Sequence, residues 1–534
     1  MAEPAATKDA GEKHMDPRNY RFSFVILGIV VATVLLAGCA AVTTDTLATR
    51  PPAGQLTVLP VDTPAPTPIP NYTDLTDGGQ VSFGPTDTVP SPTFMPHLMR
   101  DFRPQAPLLG VAMEGFMDAG AFPQALELGI RFGRRWRDIA WRDVEPQQGS
   151  YQWGVLAQLE TELKNARSVG VTPILNVQMT PDWAQGVPPY SCGPIRRDKF
   201  DAFADFMVQL VQRYGSTTEY NVRYWQIANE PDVAVGIVPP DSVFGCWGDL
   251  NDPYYGGKYF GEMLQVVYPR IKAADPNAVV VMGGLLLECD PYTMTVPETC
   301  QNDERLKSGY FLEGVLIGKG AENIDMIDIH NYGLLDMTLA ARMTDYYNWV
   351  GPQGGTGLTE KVGFARRLLE QYGRPDLPIM VSEVALKCEE PSDDCQEVGA
   401  AYIPRAYAEG YGLNLTALIY YAMITEFKYK GLLLEDFTPK KQFEAYKVMG
   451  SQLSWVEHVG AVTQFDGIDG QEFKQSFVRR LWILWSKDGQ DHTITLPTDF
   501  VRAFDKYGNV LPTTGNELTI GWSPVYIQLM YANE

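Results

Sequence analysis

The chain has 534 residues, 45% hydrophobic and 20% charged, enough for one large folded domain with additions or for two domains. Its net charge of −22 and its pI near 4.7 argue against nucleic acid as a partner, because phosphates would be repelled. The balance suits a soluble protein acting on neutral molecules, although solubility alone also accounts for an acidic surface.

Residues 22–38, FSFVILGIVVATVLLAG, run seventeen residues without a charge and follow the basic residues Lys13, Arg18 and Arg21. The run ends in Leu36-Ala37-Gly38-Cys39, the pattern of a bacterial lipoprotein signal with Cys39 as the lipidated residue. The alternative is an uncleaved single span, for which seventeen residues are barely long enough. Either way residues 1–39 leave the basic flank inside and export the rest, so the expected location is extracytoplasmic and membrane-anchored. Residues 51–100 hold eleven Pro and eight Thr with no hydrophobic period. Residues 40–106 therefore read as an extended, disordered tether.

From residue 107 short apolar runs alternate with amphipathic segments. The runs are LLGVAM (108–113), IRFGRRWRDI (130–139), VTPILNVQ (171–178), VRYWQIANE (222–230), AVVVMGG (278–284), IDMIDIHNY (324–332), LPIMVSEVA (377–385) and LTALIYYAM (415–423). Eight strands, each followed by helical material, predict an α/β fold with parallel pairing, closed as a (β/α)8 barrel over residues 107–452. An open doubly wound sheet is the competing architecture, but no glycine-rich phosphate loop follows the first strand. Residues 453–534 change to strand and turn patterns and predict a small β-sandwich. Trp482, Trp485 and Trp522 are expected in its core rather than as a carbohydrate platform.

In such a barrel the chemistry gathers at the C-terminal ends of the strands. The fourth strand ends in Asn229-Glu230, the sixth in His330-Asn331-Tyr332 and the seventh in Ser382-Glu383, while the eighth carries Tyr420-Tyr421. Two carboxylates facing across a cleft suit hydrolysis of a glycosidic bond: one protonates the leaving oxygen, the other attacks the anomeric carbon or activates water. Trp183, Trp247, Tyr254 and Tyr255 fall in the following loops as candidate sugar platforms. Glu114 and Glu426 are further substrate-binding candidates, and Glu145 is expected to be structural. Six cysteines follow Cys39, an even number that favours disulfides in an exported chain. Cys289–Cys300 and Cys388–Cys395 look like short loop staples, leaving Cys192–Cys246. No cysteine spacing matches a zinc site and the five histidines are scattered, so neither metal nor cofactor is expected.

The pieces WRDVEPQQGSYQW after strand two, NEP ending strand four, HNY ending strand six, SE ending strand seven and GLLLEDFTPKKQFEAY after strand eight resemble a clan A glycoside hydrolase, nearest to its family 39 and family 5-like members. The resemblance implies a retaining hydrolase acting on a β-linked glycan, with Glu230 as acid/base, Glu383 as nucleophile and the two carboxyl groups about 5–5.5 Å apart. It further implies that Asn229 meets the sugar 2-hydroxyl and that His330 and Tyr332 line the site, with Tyr332 near the nucleophile. Arg137, with Arg135 as the alternative, would keep Glu383 ionised. Strand eight lacks the tryptophan common in that clan, so Tyr420 or Tyr421 is expected in its place. The competing functional class is a noncatalytic surface glycan-binding protein on a barrel scaffold; a third reading is an anchored envelope protein whose barrel is only structural.

Overall fold

The computed structural model describes residues 102–117, 120–292, 307–347, 349–425 and 427–530. The expected signal or anchor with Cys39, the Pro/Thr-rich segment up to residue 101, Cys300 and Glu426 lie outside them. Residues 102–106 pack on the C-terminal part: Arg103 N–H donates to Glu457 Oε2 at 2.9 Å and Gln105 N–H to the Val456 carbonyl at 2.8 Å. Among the described residues no helix is long and apolar enough to cross a membrane.

Eight parallel staves close on themselves, which excludes the open doubly wound sheet. They are β1 (Leu109–Met113), β2 (Phe132–Arg135), β4 (Thr172–Gln178), β5 (Tyr224–Ile227), β6 (Val279–Leu285), β7 (Met326–Leu335), β9 (Ile379–Lys387) and β10 (Leu418–Tyr420). A two-residue strand, β3 (Ile139–Ala140), pairs parallel with the end of β4, and β8 (Met343–Asp345) folds back antiparallel on β7. Closure comes from β10 pairing with β1 and from β2 pairing with β4. Strands buried on both faces read as continuous apolar runs rather than alternating ones, as β6 does (VVVMGGL).

The helices after the staves are α1 (Ala121–Glu127), the single turn α2 (Trp141–Val144), α3 (Ala157–Ser168), α4 (Phe200–Tyr214), α5 (Gly257–Ala274), α6 (Tyr310–Ile317), α7 (Leu358–Gln371), α8 (Asp393–Gly412) and α9 (Lys441–Leu453). In α4 the buried Phe203, Met207, Leu210, Val211 and Tyr214 recur at helical spacing and form one apolar stripe against the staves. The barrel interior is a separate cluster of inward residues: Ala112, Phe132, Ile174, Val281, Met326, Met380 and Ile419. It fills the lower barrel and makes the interior a packed plug rather than a pore. The hydroxyls of Tyr407 and Tyr446, from α8 and α9, each lie 3.0 Å from the Gly110 carbonyl and 2.8 Å from one another, where one donates to the other, tying the last helices to the first strand.

Two register irregularities decide what faces the mouth. Between β7 and β9, Ile329 pairs with Val381 but His330 pairs with Glu383, so Ser382 is an extra residue in β9. A one-residue slip exchanges the two faces of a strand, so this bulge turns Glu383 to the same side as His330. Without it Ser382 would hold that position and Glu383 would point at the helices. Between β6 and β7 the register also shifts, across Gly283 and Gly284. A Cβ on Gly284 would lie 1.9 Å from His330 Nε2, so only glycine leaves room for the imidazole.

The C-terminal part consists of antiparallel sheets. One has the order β11-β12-β13-β17-β15, from β11 (Glu457–Ala461), β12 (Ile468–Lys474), β13 (Arg479–Ser486), β15 (Phe500–Phe504) and β17 (Val525–Met530); the other pairs β14 (His492–Thr495) with β16 (Glu517–Ile520). Trp482 and Trp485 are buried in the two cores this sheet shares, and half-buried Trp522 carries the Arg342 guanidinium 4.9 Å from its ring centroid. Disulfides join Cys192 to Cys246 and Cys388 to Cys395.

Replacing Tyr407 by Phe removes a buried hydroxyl at the α8–β1 junction. We expect a loss of about 1–2 kcal/mol in urea unfolding with an unchanged m-value.

Candidate active site

Each side chain at the mouth is delivered by the end of a stave. Glu230 follows β5, with a left-handed backbone at Ala228 (φ 66°) and at Glu230 itself (φ 50°). Such conformations are costly for residues with a Cβ and cluster where function requires a particular side-chain direction. The Glu230 N–H is held by the Gly284 carbonyl at 3.0 Å, so the β6 bulge positions this residue too. His330 Nδ1 lies 2.8 Å from Glu230 Oε1, and His330 Nε2 lies 3.1 Å from Ser382 Oγ. Glu230 and Glu383 are only 9% and 6% exposed. One carboxylate oxygen of each, together with a His330 ring nitrogen, lie within 4.8 Å of one another.

The arginine at Glu383 is Arg134, a correction to the expectation of Arg137. Arg134 Nη1 donates to Glu383 Oε1 at 2.6 Å, Nη2 to Asn229 Oδ1 at 2.7 Å and Nε to Gln226 Oε1 at 2.9 Å. Arg135 points the other way and pairs with buried Glu162 on α3 at 2.7 Å. Arg137 lies past the strand end, exposed, and pairs with Glu114. Gln226 in turn donates to Asp328 Oδ2 at 2.7 Å, and Asp328 Oδ1 accepts the N–H of the bulged Ser382 at 2.8 Å. A continuous polar layer thus sits between the apolar plug and the mouth and carries the bulge. The Tyr332 hydroxyl donates to Glu383 Oε2.

This surrounding sets the charge of Glu383. Burial works to raise its pKa, but His330, Arg134 and Lys430, together with the Tyr332 hydrogen bond, outweigh burial and bring it down to about 2. Its folded pKa lies below the ordinary 4.5, so its stabilising contribution is full above that value and is lost as pH falls from there towards 2. Burial also acts first on His330, downwards, yet Glu383, Glu230 and Asp328 pull its pKa up. The spacing of Glu230, His330 and Glu383 is also one that a metal ion tolerates. However, both oxygens of Glu383 are already taken, by Arg134 and Tyr332, and a cation there would face the Arg134 guanidinium.

Tyr421 is half-buried at the mouth, its ring 6.4 Å from Tyr332 and 6.1 Å from Trp136. Tyr420 faces the helices and donates to the Lys430 carbonyl at 3.1 Å. Tyr421 is therefore the strand-eight aromatic at the site. Beside it opens a cavity of about 460 Å³ whose lining includes Met113, Glu114, Trp136, Met423 and Phe437. Two aromatic expectations are corrected. Trp247 and Tyr255 are buried in the core, with Trp247 against Phe260 at 4.9 Å, and cannot offer a face to a sugar. Trp183 packs on Trp141 at 5.1 Å and donates to the Glu145 carbonyl at 3.2 Å. It shares that cluster with Glu145, which accepts from Trp141 Nε1 at 2.7 Å and from Gly149 N–H at 2.7 Å in the structural role expected of it. Residues the sequence reading did not single out are Arg134, Gln226, Asp328, Trp136 and the lysines 387 and 430. The first three follow from alternation: Phe132, Tyr224 and Met326 face the barrel interior, so the residues two positions on do as well.

No protein-family model and no curated protein matches the chain. Solved structures do. A family 39 glycoside hydrolase from the gut symbiont Bacteroides cellulosilyticus WH2 is 19% identical with TM-score 0.60, covering 79% of this chain and 81% of that one. A glucosidase from Croceicoccus marinus is 12% identical with TM-score 0.51, covering 81% of this chain and 98% of that one. A monomeric β-xylosidase from Caulobacter crescentus CB15 is 16% identical with TM-score 0.50, over 81% and 98%. At these identities the likeness is one of fold: the chain shares a barrel architecture with known glycoside hydrolases.

Arg134→Met removes the cation at 2.6 Å from Glu383. We expect the acidic limb of the pH–activity profile to move up by about one pH unit or more, because an adjacent opposite charge depresses a carboxyl by that amount. An unmoved limb would assign the depression to other groups.

Proposed function

We propose that the protein is a retaining O-glycosyl hydrolase, with Glu383 as nucleophile and Glu230 as acid/base. The observation that carries this reading is the pair of buried carboxylates from the ends of β5 and β9, one oxygen of each lying within 4.8 Å of the other. Inverting chemistry needs carboxyl groups about 6.5–9.5 Å apart to seat a water between them and the sugar. The roles divide by environment. Glu383 touches Arg134 and Tyr332 and is kept an anion, ready to attack an anomeric carbon. Among the described residues Glu230 has no arginine partner, and it is oriented by His330, which suits a group that must give up a proton and take it back.

In the first step a Glu383 oxygen bonds to the anomeric carbon as the glycosidic C–O bond breaks and Glu230 donates its proton to the departing oxygen. In the second, Glu230 takes a proton from water, whose oxygen displaces Glu383. Asn229, clamped by Arg134 at 2.7 Å, is in position to bond a hydroxyl of that sugar. Tyr421 and Trp136 offer ring faces beside it. Likeness in fold to glycoside hydrolases supports the same class. A glycan-binding protein without activity would have no use for a nucleophile held ionised in a nearly dry site.

The test is hydrolysis of a panel of aryl glycosides in both anomeric forms, followed by NMR of the first-formed product. We expect retention of configuration, and losses of about 100-fold or more in kcat for Glu230→Gln and Glu383→Gln. Inverted product, or full activity in either variant, contradicts the assignment.

We also propose that the enzyme is held at the outer face of the membrane through lipidated Cys39, with residues 40–101 as tether. The support is the Leu36-Ala37-Gly38-Cys39 pattern after an uncharged run. Cys39→Ser should block the lipid-dependent mass increase of the mature chain; an unchanged mass would leave the uncleaved span as the anchor.

A further inference from the structure

Three lysines lie buried around the candidate site, and they differ in how their charge is met. Lys361 on α7 donates to the Leu286 carbonyl at 3.0 Å and to the His330 carbonyl at 3.1 Å, so two fixed dipoles account for it. Lys387 and Lys430 have no such partners. Lys387, the last residue of β9, is 7% exposed, and Lys430, in the loop after β10, is 2% exposed. Among the described residues neither ammonium group has a hydrogen-bond acceptor or a carboxylate at ion-pair distance. They meet only aromatic rings. Lys387 Nζ stands 3.9 Å from the Tyr332 ring centroid and 4.0 Å from that of Tyr346. Lys430 Nζ stands 4.2 Å from both the Tyr332 and the Tyr421 centroids. Phe427 lies close to both, at 5.9 and 5.0 Å.

Ring faces compensate a buried ammonium only in part. Burial accordingly drives the pKa of Lys387 down to about 8 and that of Lys430 down to about 7, although Glu230 and Glu383 oppose the shift. The direction of the side chains follows from the strand. Glu383, Ala385 and Lys387 share one face of β9, so Lys387 rises on the same inner wall as the candidate nucleophile, two residues nearer the mouth than Ala385. Tyr332, whose hydroxyl holds Glu383, is the ring both lysines touch. Two underpaired cations beside a sugar site form a receptor lacking its anion. The overall charge of −22 makes this feature stand out, since the chain as a whole repels acidic polymers and only a local pair could hold one.

We propose that Lys387 and Lys430 form an anion subsite, and that the glycan cleaved by this enzyme carries a negative group, a uronic acid carboxylate or a sulfate ester, on the sugar bound against Tyr332. This inference rests on the glycosidase reading above and deepens it by naming the substrate class. It replaces the expectation of a neutral substrate drawn from net charge.

The experiment measures kcat/KM of the full chain on matched 4-methylumbelliferyl glycosides of gluco and galacto configuration, in both anomers. Each configuration is presented as the 6-carboxylate, the 6-sulfate and the neutral parent. It compares the wild type with Lys387→Met and Lys430→Met, which keep the apolar stems on the rings. We expect an anionic member to be preferred over its neutral parent roughly tenfold to a hundredfold, and each variant to shrink that ratio by about tenfold. Preference for the carboxylate identifies a uronide; preference for the sulfate identifies a sulfated sugar. Neutral substrates hydrolysed as well as anionic ones, or a ratio unmoved in both variants, overturn the inference and leave the hydrolase reading standing. If the wild type cleaves none of the panel, the hydrolase reading fails instead. The subsite is then decided by thermal shift with free glucuronate, galacturonate, the 6-sulfates and the neutral sugars. A shift confined to the anions and lost in Lys387→Met upholds it, and equal or absent shifts overturn it.

Discussion

The ion pair between Arg134 and Glu383 is the interaction on which the candidate site depends. A carboxylate with so little exposure is stable as an anion only if its oxygens are met by donors and opposite charge. Arg134 supplies both at 2.6 Å and spends its other two donors on Gln226 and Asn229, so it fixes its neighbours as well as the charge. The planar fork of an arginine suits this better than a lysine would, because three partners are held in one plane. Removing it would leave Glu383 facing burial with fewer allies and Asn229 without its clamp.

The backbone makes that pairing possible. Glu383 faces the mouth because Ser382 is inserted into β9, and the insertion is itself held by Asp328 through the Ser382 N–H. Asp328 is reached from Arg134 through Gln226. The register of one strand and the charge of one side chain are thus parts of the same hydrogen-bonded layer. His330 completes it: it reaches Glu230 on one side and the Ser382 hydroxyl on the other, in space that only glycine at 284 leaves open. Such a layer is demanding, since each buried member must be satisfied, but it gives the rigidity that positioned acid/base chemistry requires.

Much of this architecture is legible in the sequence. The eight apolar runs match the eight staves in order, because parallel strands buried on both faces leave uninterrupted hydrophobic segments. The rule that barrel chemistry lies at strand ends was enough to bring Asn229, Glu230, His330, Tyr332, Glu383 and Tyr421 to one end of the barrel. What eluded the reading has local causes. Strand two holds Arg134 and Arg135 in sequence, with Arg137 just beyond, and choosing among them needs the face of Phe132, which only closure of the barrel reveals. A bulge at Ser382 leaves no compositional mark. Trp247 and Tyr255 sit in a loop by sequence but are folded inward, because the long loop after β5 packs against α5 and joins the main core. Lys387 and Lys430 gave no signal at all, since a lysine at a strand end or in a loop reads as solvated until the rings around it are known.

The same physics links the two proposals. In both, burial makes a charge costly unless it is met: Glu383 is met by Arg134 within the site, and Lys387 and Lys430 are proposed to be met by an anionic group of the substrate. The measurement that bears most directly on the central claim is covalent trapping: incubation with a 2-deoxy-2-fluoro glycosyl fluoride of a hydrolysed sugar, digestion, and mass spectrometry of the peptides. The account predicts one added sugar on the peptide spanning β9, localised to Glu383. A label on any other residue, or turnover by an active enzyme that yields no labelled peptide and inverts the anomeric centre, would contradict it.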